Sequence, residues 1–306
     1  MKKILLISLL FLFTISPKIA NAQENYSLDI PPDGYVDFGN VLNFNYNDQL
    51  SIAYWFKVDS EEEMRISNRA ACDSGAGSEG CHRGYEFLVG SWGLSFRLIN
   101  TWASNMLVVD ISEPFDDNMW HYAVVTYDGG GDESGVNIYI DNVLREHTIH
   151  TNSLSETIVN NLPLRIGGNG EDAGGSGMID EASVWNYPLS QEEIEENMDG
   201  LAGDENGLLS YWNFNEGEGD TVYDQTENGN DGTIYGATWS DDVPTASEDI
   251  YGCTDPEATN YGYNCDGDFV GEPTTDDGCC EYDYPPVDED LFTFAGYFAG
   301  SYYYAS

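Results

Sequence analysis

Basic residues are scarce: 10 lysines and arginines stand against 55 aspartates and glutamates, for a formal net charge of −45 over 306 residues. None occurs between Ile166 and Ser306. So acidic a chain is repelled by phosphate backbones and by anionic lipid, which excludes nucleic acid and the membrane surface as partners. Histidine is as sparse, and His82, His121, His147 and His150 show no metal-ligand spacing; the odd separation of His147 and His150 would put them on opposite sides of a strand. No Gly-x-Ser-x-Gly elbow, His-Glu-x-x-His pair or phosphate-binding loop is present, which removes the catalytic classes those motifs serve.

Long apolar runs are also missing, apart from one at the start. Met1-Lys2-Lys3 leads into an apolar stretch from Ile4 to Ile15, and Ala20-Asn21-Ala22 places small residues before Gln23. This order predicts a secretory signal peptide over 1–22, cleaved after Ala22. A membrane-spanning helix would need roughly 20 apolar residues, so no membrane insertion is expected after cleavage. Export to the medium or the cell surface follows. Cleavage takes Lys2, Lys3 and Lys18, leaving 10 − 3 = 7 basic residues against 55 acidic ones, a net charge of −48. A chain this acidic needs counter-ions, either bound calcium or a saline medium around a solvated acidic coat.

What is present argues for a folded, mainly β chain. Aromatic residues make up 13% and hydrophobic residues 41%, enough apolar surface for a core. Short alternating or aromatic-rich runs recur between Gly, Asn and Asp clusters, among them 34–39, 50–58, 85–89, 94–99, 106–111, 120–127, 136–140, 162–166, 177–185 and 208–214. Many short strands with turn chemistry between them indicate an antiparallel β-sandwich or jelly roll. Alternation is plainest in Ser51 to Val58 and in Val136 to Ile140, whose hairpin continues through Asp141-Asn142 into Val143-Leu144. The single expected helix starts at Ser190, with Glu193 completing a capping box, and closes at Gly200.

Composition changes near Asp241. The sandwich is expected over 23–243, a linker over 244–251, a small cysteine-rich module over 252–283, and an acidic, Pro-containing hinge with a strand-like aromatic stretch over 284–306. That last strand would be an exposed edge, so the chain reads as a fragment or as having lost a following domain. Six cysteines in an exported chain read as three disulfides. Cys72 and Cys81 bracket a Gly- and Ser-rich insertion and are expected to pair; the remaining four are Cys253, Cys265, Cys279 and Cys280.

Four segments in order, Gly34-Tyr35-Val36-Asp37-Phe38-Gly39, the run from Trp120 to Gly129, Ile138-Tyr139-Ile140-Asp141-Asn142 and the run from Ile179 to Ser190, resemble the laminin-G-like, concanavalin A-like jelly-roll family. Trp212 to Gly219, with Asp224 and Gly229 to Ile234, resembles its closing strands, so the likeness spans residues 24–240. It implies two stacked antiparallel sheets that bind a glycan or an extracellular protein, often with structural calcium. By that analogy the candidate calcium ligands are Asp180 with Asp172 in the glycine-rich approach to it, and Asp224 with Asn230; solvated loop carboxylates are the plainer alternative. Trp92 and Trp102, in loop-like context, are the candidate sugar-stacking residues, whereas Trp120, Trp185 and Trp212 read as core aromatics.

Laminarinase-type glucanases share this jelly roll and carry three acids on alternating strand positions. The local match is Met178-Ile179-Asp180-Glu181-Ala182-Ser183, where Met178 replaces the first acid and no third follows. A binding or adhesion protein, not an enzyme, is therefore expected; the alternatives are a glycoside hydrolase relative and a structural spacer of a larger adhesin. Gly252 to Tyr261 and Asp276 to Tyr282 resemble a small repeat of multimodular surface proteins of Bacteroidota-like bacteria, and this resemblance implies Cys253 with Cys280 and Cys265 with Cys279, with the swapped pairing left open. Phe292 to Tyr304 resembles the first strand of C-type lectin-like domains, which would place two glycan-binding folds in tandem.

Overall fold

The computed structural model describes residues 25–58, 63–67, 82–168, 176–244, 251–252 and 275–276. The chain divides into two units, Met1–Pro244 and Thr245–Ser306. In the second, Tyr251–Gly252 and Thr275–Asp276 pair in parallel. All six cysteines, Asp172 and the segment 284–306 lie outside the described residues.

The first unit is an antiparallel β-sandwich. Its strands are β1 (Ser27–Ile30), β2 (Tyr35–Asp37), β3 (Leu50–Lys57), β4 (Glu63–Ser67), β5 (Gly84–Gly90), β6 (Gly93–Thr101), β7 (Asn105–Ile111), β8 (His121–Tyr127), β9 (Val136–Ile140), β10 (Val143–Arg145), β11 (Thr148–Asn152), β12 (Arg165–Gly167), β13 (Gly177–Trp185), β14 (Leu208–Trp212), β15 (Thr221–Val222), β16 (Gly232–Tyr235) and β17 (Thr238–Ser240). Sheet A runs β10-β9-β8-β3-β13-β1-β17, with β14 also on β13; sheet B runs β11-β7-β6-β5-β4-β12-β2-β16-β15. The first half of β13 pairs with β1, the second half with β14. Between them the register slips at Asp180, and Glu181 takes a left-handed φ of 48°. That bulge lets one strand serve two neighbours.

Period two sorts the side chains. Ile52, Tyr54 and Phe56 of β3 join Phe87, Phe96, Leu98 and Val109 of sheet B in the core between the sheets. Both faces of β3 are buried, not one as its alternation suggests, because Ala53 and Trp55 pack into a second cluster with Tyr122, Trp185, Tyr211 and Ile194. Ile194 belongs to α1 (Gln191–Asn197), which covers the outer side of sheet A. Seven residues are too few for a helix stable on its own. The capping box of Ser190 and Glu193 and burial of Ile194, worth about 1.5–3 kcal/mol, hold it. At the β9–β10 turn Asp141 and Asn142 both have positive φ, 51° and 60°, as a two-residue hairpin of that twist requires. Among the described residues no helix is long and apolar enough to cross a membrane.

Candidate functional site

The side of sheet B that faces away from the core carries an ordered array of polar and charged side chains. Val36, Ile66, Phe87, Phe96 and Val109 point inward, so their neighbours along each strand point out. Pairing registers set these outward residues in one row across seven strands: Thr233 beside Asp37, Asp37 beside Arg165, Arg165 beside Ser67, Ser67 beside Glu86, Glu86 beside Arg97, and Arg97 beside Val108. Acid and base alternate along it. Three of the chain's few arginines, Arg65, Arg97 and Arg165, meet on this one face.

Two ion-pair groups organise the row. Glu86 is fully buried and accepts from Arg65 Nη1 at 3.3 Å and from Arg97 Nη1 at 3.0 Å, while Arg97 Nε donates to Ser95 Oγ at 3.0 Å. Arg65 Nη2 also reaches Glu63. Two guanidinium groups on one carboxylate repay the cost of burying it. Arg65 Nε is buried with no hydrogen-bond partner among the described residues. Nearer the sheet edge, Arg165 Nε and Nη2 both donate to Asp37 Oδ2 at 3.0 Å.

Beside that second pair lies an aromatic platform. Tyr35 and Tyr235, paired in register, stack with ring centres 4.8 Å apart and planes 21° from parallel. The Arg165 guanidinium carbon sits 4.6 Å from the centre of the Tyr35 ring. On the other side of Tyr35 the register partner is Gly167, at φ 85°, where a Cβ would come within 2.8 Å of Ile30 Cγ2. Glycine is thus enforced there, and on β12 only Arg165 reaches the Tyr35 ring. Tyr235 remains 48% exposed.

The two candidate stacking tryptophans do not share one surface. Trp92 and Trp102 are exposed, at 42% and 46%, but they occupy the turns at the two ends of β6. Nine residues of strand separate them by roughly 30 Å, too far for one stacking surface. Trp92 Nε1 donates to Glu63 Oε2 at 3.4 Å, at one end of the outer face; Trp102 packs on His82, ring centres 4.9 Å apart, at the other. Trp185 and Trp212 are core residues, and Trp120 is partly buried with its Nε1 on Asp242 Oδ1 at 2.9 Å. Sequence reasoning missed Tyr35, Asp37, Arg165 and Tyr235, although the alternation of Tyr35-Val36-Asp37 and Ile234-Tyr235 was there to mark their outward direction.

Of the four candidate calcium ligands, Asp224 and Asn230 do come together. Asp224 Oδ1 accepts from Tyr211 N at 3.1 Å, Thr226 N at 3.0 Å and Thr226 Oγ1 at 2.9 Å; Oδ2 accepts from Asn230 N at 2.9 Å and Ser210 Oγ at 3.2 Å. Asn230 Nδ2 in turn donates to Ser210 Oγ at 2.7 Å. These donors engage both oxygens of the carboxylate, so the pair ties the closing strands together. Asp180 differs. It is fully buried in the β13 bulge; Oδ1 accepts from Glu181 N at 2.9 Å and Oδ2 has no partner among the described residues. Burial, reinforced by the adjacent Glu181 charge, pushes its carboxyl up to about 9. Burial also raises Glu181 to about 7, against the opposing hydrogen bond from the Tyr211 hydroxyl. An unpartnered oxygen beside a second carboxylate fits either a proton or a cation. Among the described residues no three acidic, His or Cys side chains are grouped to hold a metal.

Comparison with known proteins agrees with this architecture. A family model described as the concanavalin A-like lectin/glucanases superfamily, of laminin G type, matches residues 31–195, more than half of the chain. No curated protein matches the sequence. Among solved structures, a candidate carbohydrate-binding protein from Bacteroides ovatus superposes with a TM-score of 0.52 at 15% identity, over 71% of this chain and 60% of the other. This chain therefore spans less than two thirds of that protein's length. The heptameric SAP-like pentraxin of Limulus polyphemus gives 0.41 at 14% identity, over 60% of this chain and 88% of that one. The CBM40 of the Ruminococcus gnavus IT-sialidase gives 0.37 at 15%, over 48% and 81%. At such identities the likeness is one of fold.

Proposed function

Because this chain belongs to the concanavalin A-like lectin/glucanases superfamily, and its sandwich presents an ordered polar and aromatic face, we propose that it is an exported, non-catalytic carbohydrate-binding protein that holds its ligand on the outer face of sheet B. The observation that carries this reading is the accessible part of the in-register row, Thr233, Asp37, Arg165 and Arg97, with stacked tyrosines beside it; Ser67, Glu86 and Val108 within the row are buried and hold it in place. Saccharides are recognised by paired charged groups that exchange hydrogen bonds with hydroxyls and by aromatic rings that cover the C–H faces of the sugar. Both kinds of group are fixed here on rigid strands before ligand arrives, which lowers the ordering cost of binding.

The non-catalytic part rests on chemistry. Glycoside hydrolysis needs two carboxyl groups flanking a bound sugar. The one local match to a glucanase strand has Met178 at the first position, and its Asp180 is shut away from solvent. Calcium enters the proposal as support for the fold, with Asp180 as its described ligand and Asp172 from the neighbouring glycine-rich segment. Secretion by way of residues 1–22 and an adhesive role at the cell surface belong to the same proposal.

The test is a screen of the full chain against neutral and acidic oligosaccharides by calorimetric titration, repeated with Arg97→Ala on the outer face and with Leu144→Ala, an exposed residue of sheet A, as control. Saturable binding that weakens in the first variant alone supports the reading. Absence of binding throughout the panel contradicts it and leaves a spacer role.

A further inference from the structure

Resting on that reading, we infer that the edge of the face formed by Tyr35, Tyr235, Asp37 and Arg165 is a subsite for an uncharged pyranose with neighbouring hydroxyls. Tyr235 offers an exposed ring whose tilt is braced by Tyr35 beneath it. A braced ring meets the C–H face of a sugar without losing rotamer freedom on binding. Arg165 and Asp37 adjoin the platform as an ion pair, the guanidinium directing two N–H groups at one carboxylate oxygen. Such a pair supplies a donor and an acceptor side by side at no net charge, which suits two adjacent hydroxyls.

Charge decides between neutral and anionic sugars. The positive charge of Arg165 is matched by Asp37 within the subsite. The segment leading through β15 into β16 carries Glu216, Glu218, Asp220, Glu227 and Asp231, with no basic residue. A carboxylated or sulfated sugar on Tyr235 would enter a negative field that no further basic residue of the segment from β15 to β16 offsets.

The experiment is titration of the full chain with matched oligosaccharides: neutral gluco-, galacto- and manno-oligomers against oligogalacturonate, sialyllactose and a sulfated galactan oligomer. Wild type is compared with Tyr235→Ala, Tyr235→Phe and Asp37→Asn. The expected result is binding of at least one neutral series, about tenfold weaker in Tyr235→Ala, retained in Tyr235→Phe, weakened in Asp37→Asn, and at least tenfold tighter than any anionic series. Stronger binding of an anionic series, lost in Arg165→Ala, would overturn the inference while keeping a carbohydrate-binding face. Neutral binding indifferent to Tyr235→Ala but abolished by Arg97→Ala would do the same by moving the subsite along the row. Failure of every sugar to bind overturns the parent reading as well.

Discussion

The Arg165 guanidinium carbon lies 4.6 Å from the centre of the Tyr35 ring while two of its nitrogens donate to Asp37. One side chain from β12 thereby fixes two from β2 and joins the aromatic platform to the charged row. Arg165→Ala is expected to lower stability by about 1 kcal/mol, from a partly exposed cation–π contact and ion pair. Urea denaturation checks this, and Arg165→Lys, with no planar fork, is expected to recover less than half of it.

Asp224→Ala is expected to cost about 3 kcal/mol, because removing the carboxylate strands the buried Tyr211 amide and takes the acceptor from the Thr226 and Asn230 amides. The loss should be the same with calcium or chelator if the carboxylate serves these hydrogen bonds alone. A loss that appears only in calcium would assign Asp224 to a metal.

Asp180 and Glu181 set a pH dependence of stability. Both have folded values raised above their unfolded ones, from 3.8 to about 9 and from 4.5 to about 7. Their protonated forms favour the folded state, so their contribution is complete below about pH 4 and is lost as pH rises, through about 7 for Glu181 and about 9 for Asp180. Asp180→Asn is expected to flatten the decline in melting temperature between pH 5 and 9. A cation at Asp180 would replace the proton, so excess calcium should flatten the wild-type decline as well; an unchanged slope in both experiments would remove Asp180 from either role.

His121 gives a second titration. Its Nδ1 lies 2.7 Å from Asp141 Oδ2 and its Nε2 3.3 Å from Asp117. The Asp141 hydrogen bond, with further help from Asp117, raises its folded value above 6.5 against the opposing effect of partial burial. The stabilisation is therefore fully present below the unfolded value of 6.5 and fades as pH rises through the higher folded one. His121→Gln should remove this fading, seen as melting temperatures of wild type and variant that draw together as pH rises through the raised folded value.

Much of the scaffold was legible in the sequence, and the reasons are local. Ser51 to Val58 alternates, Ser190 and Glu193 form a capping box, and Asp141-Asn142 occupies a turn that wants positive φ. Each of these is decided within a few residues. The site was not legible, because its members come from β2, β12 and β16, strands far apart in sequence. Direction off a strand can be read from period two; the neighbour of a strand depends on the whole sheet order. Trp92 and Trp102 show the converse: nearby in sequence and both exposed, they are parted by the full length of β6. Short strands such as β1, β4 and β11 escaped notice since four or five residues with a single alternation leave little signal.

The most direct test of a carbohydrate-binding outer face is amide hydrogen exchange across the full chain, with and without saturating oligosaccharide from the neutral and acidic panels. Slowed exchange confined to β2, β12, β16 and the β4–β6 strands of sheet B is the predicted result. Protection confined to sheet A, or no sugar that alters exchange anywhere, would contradict it.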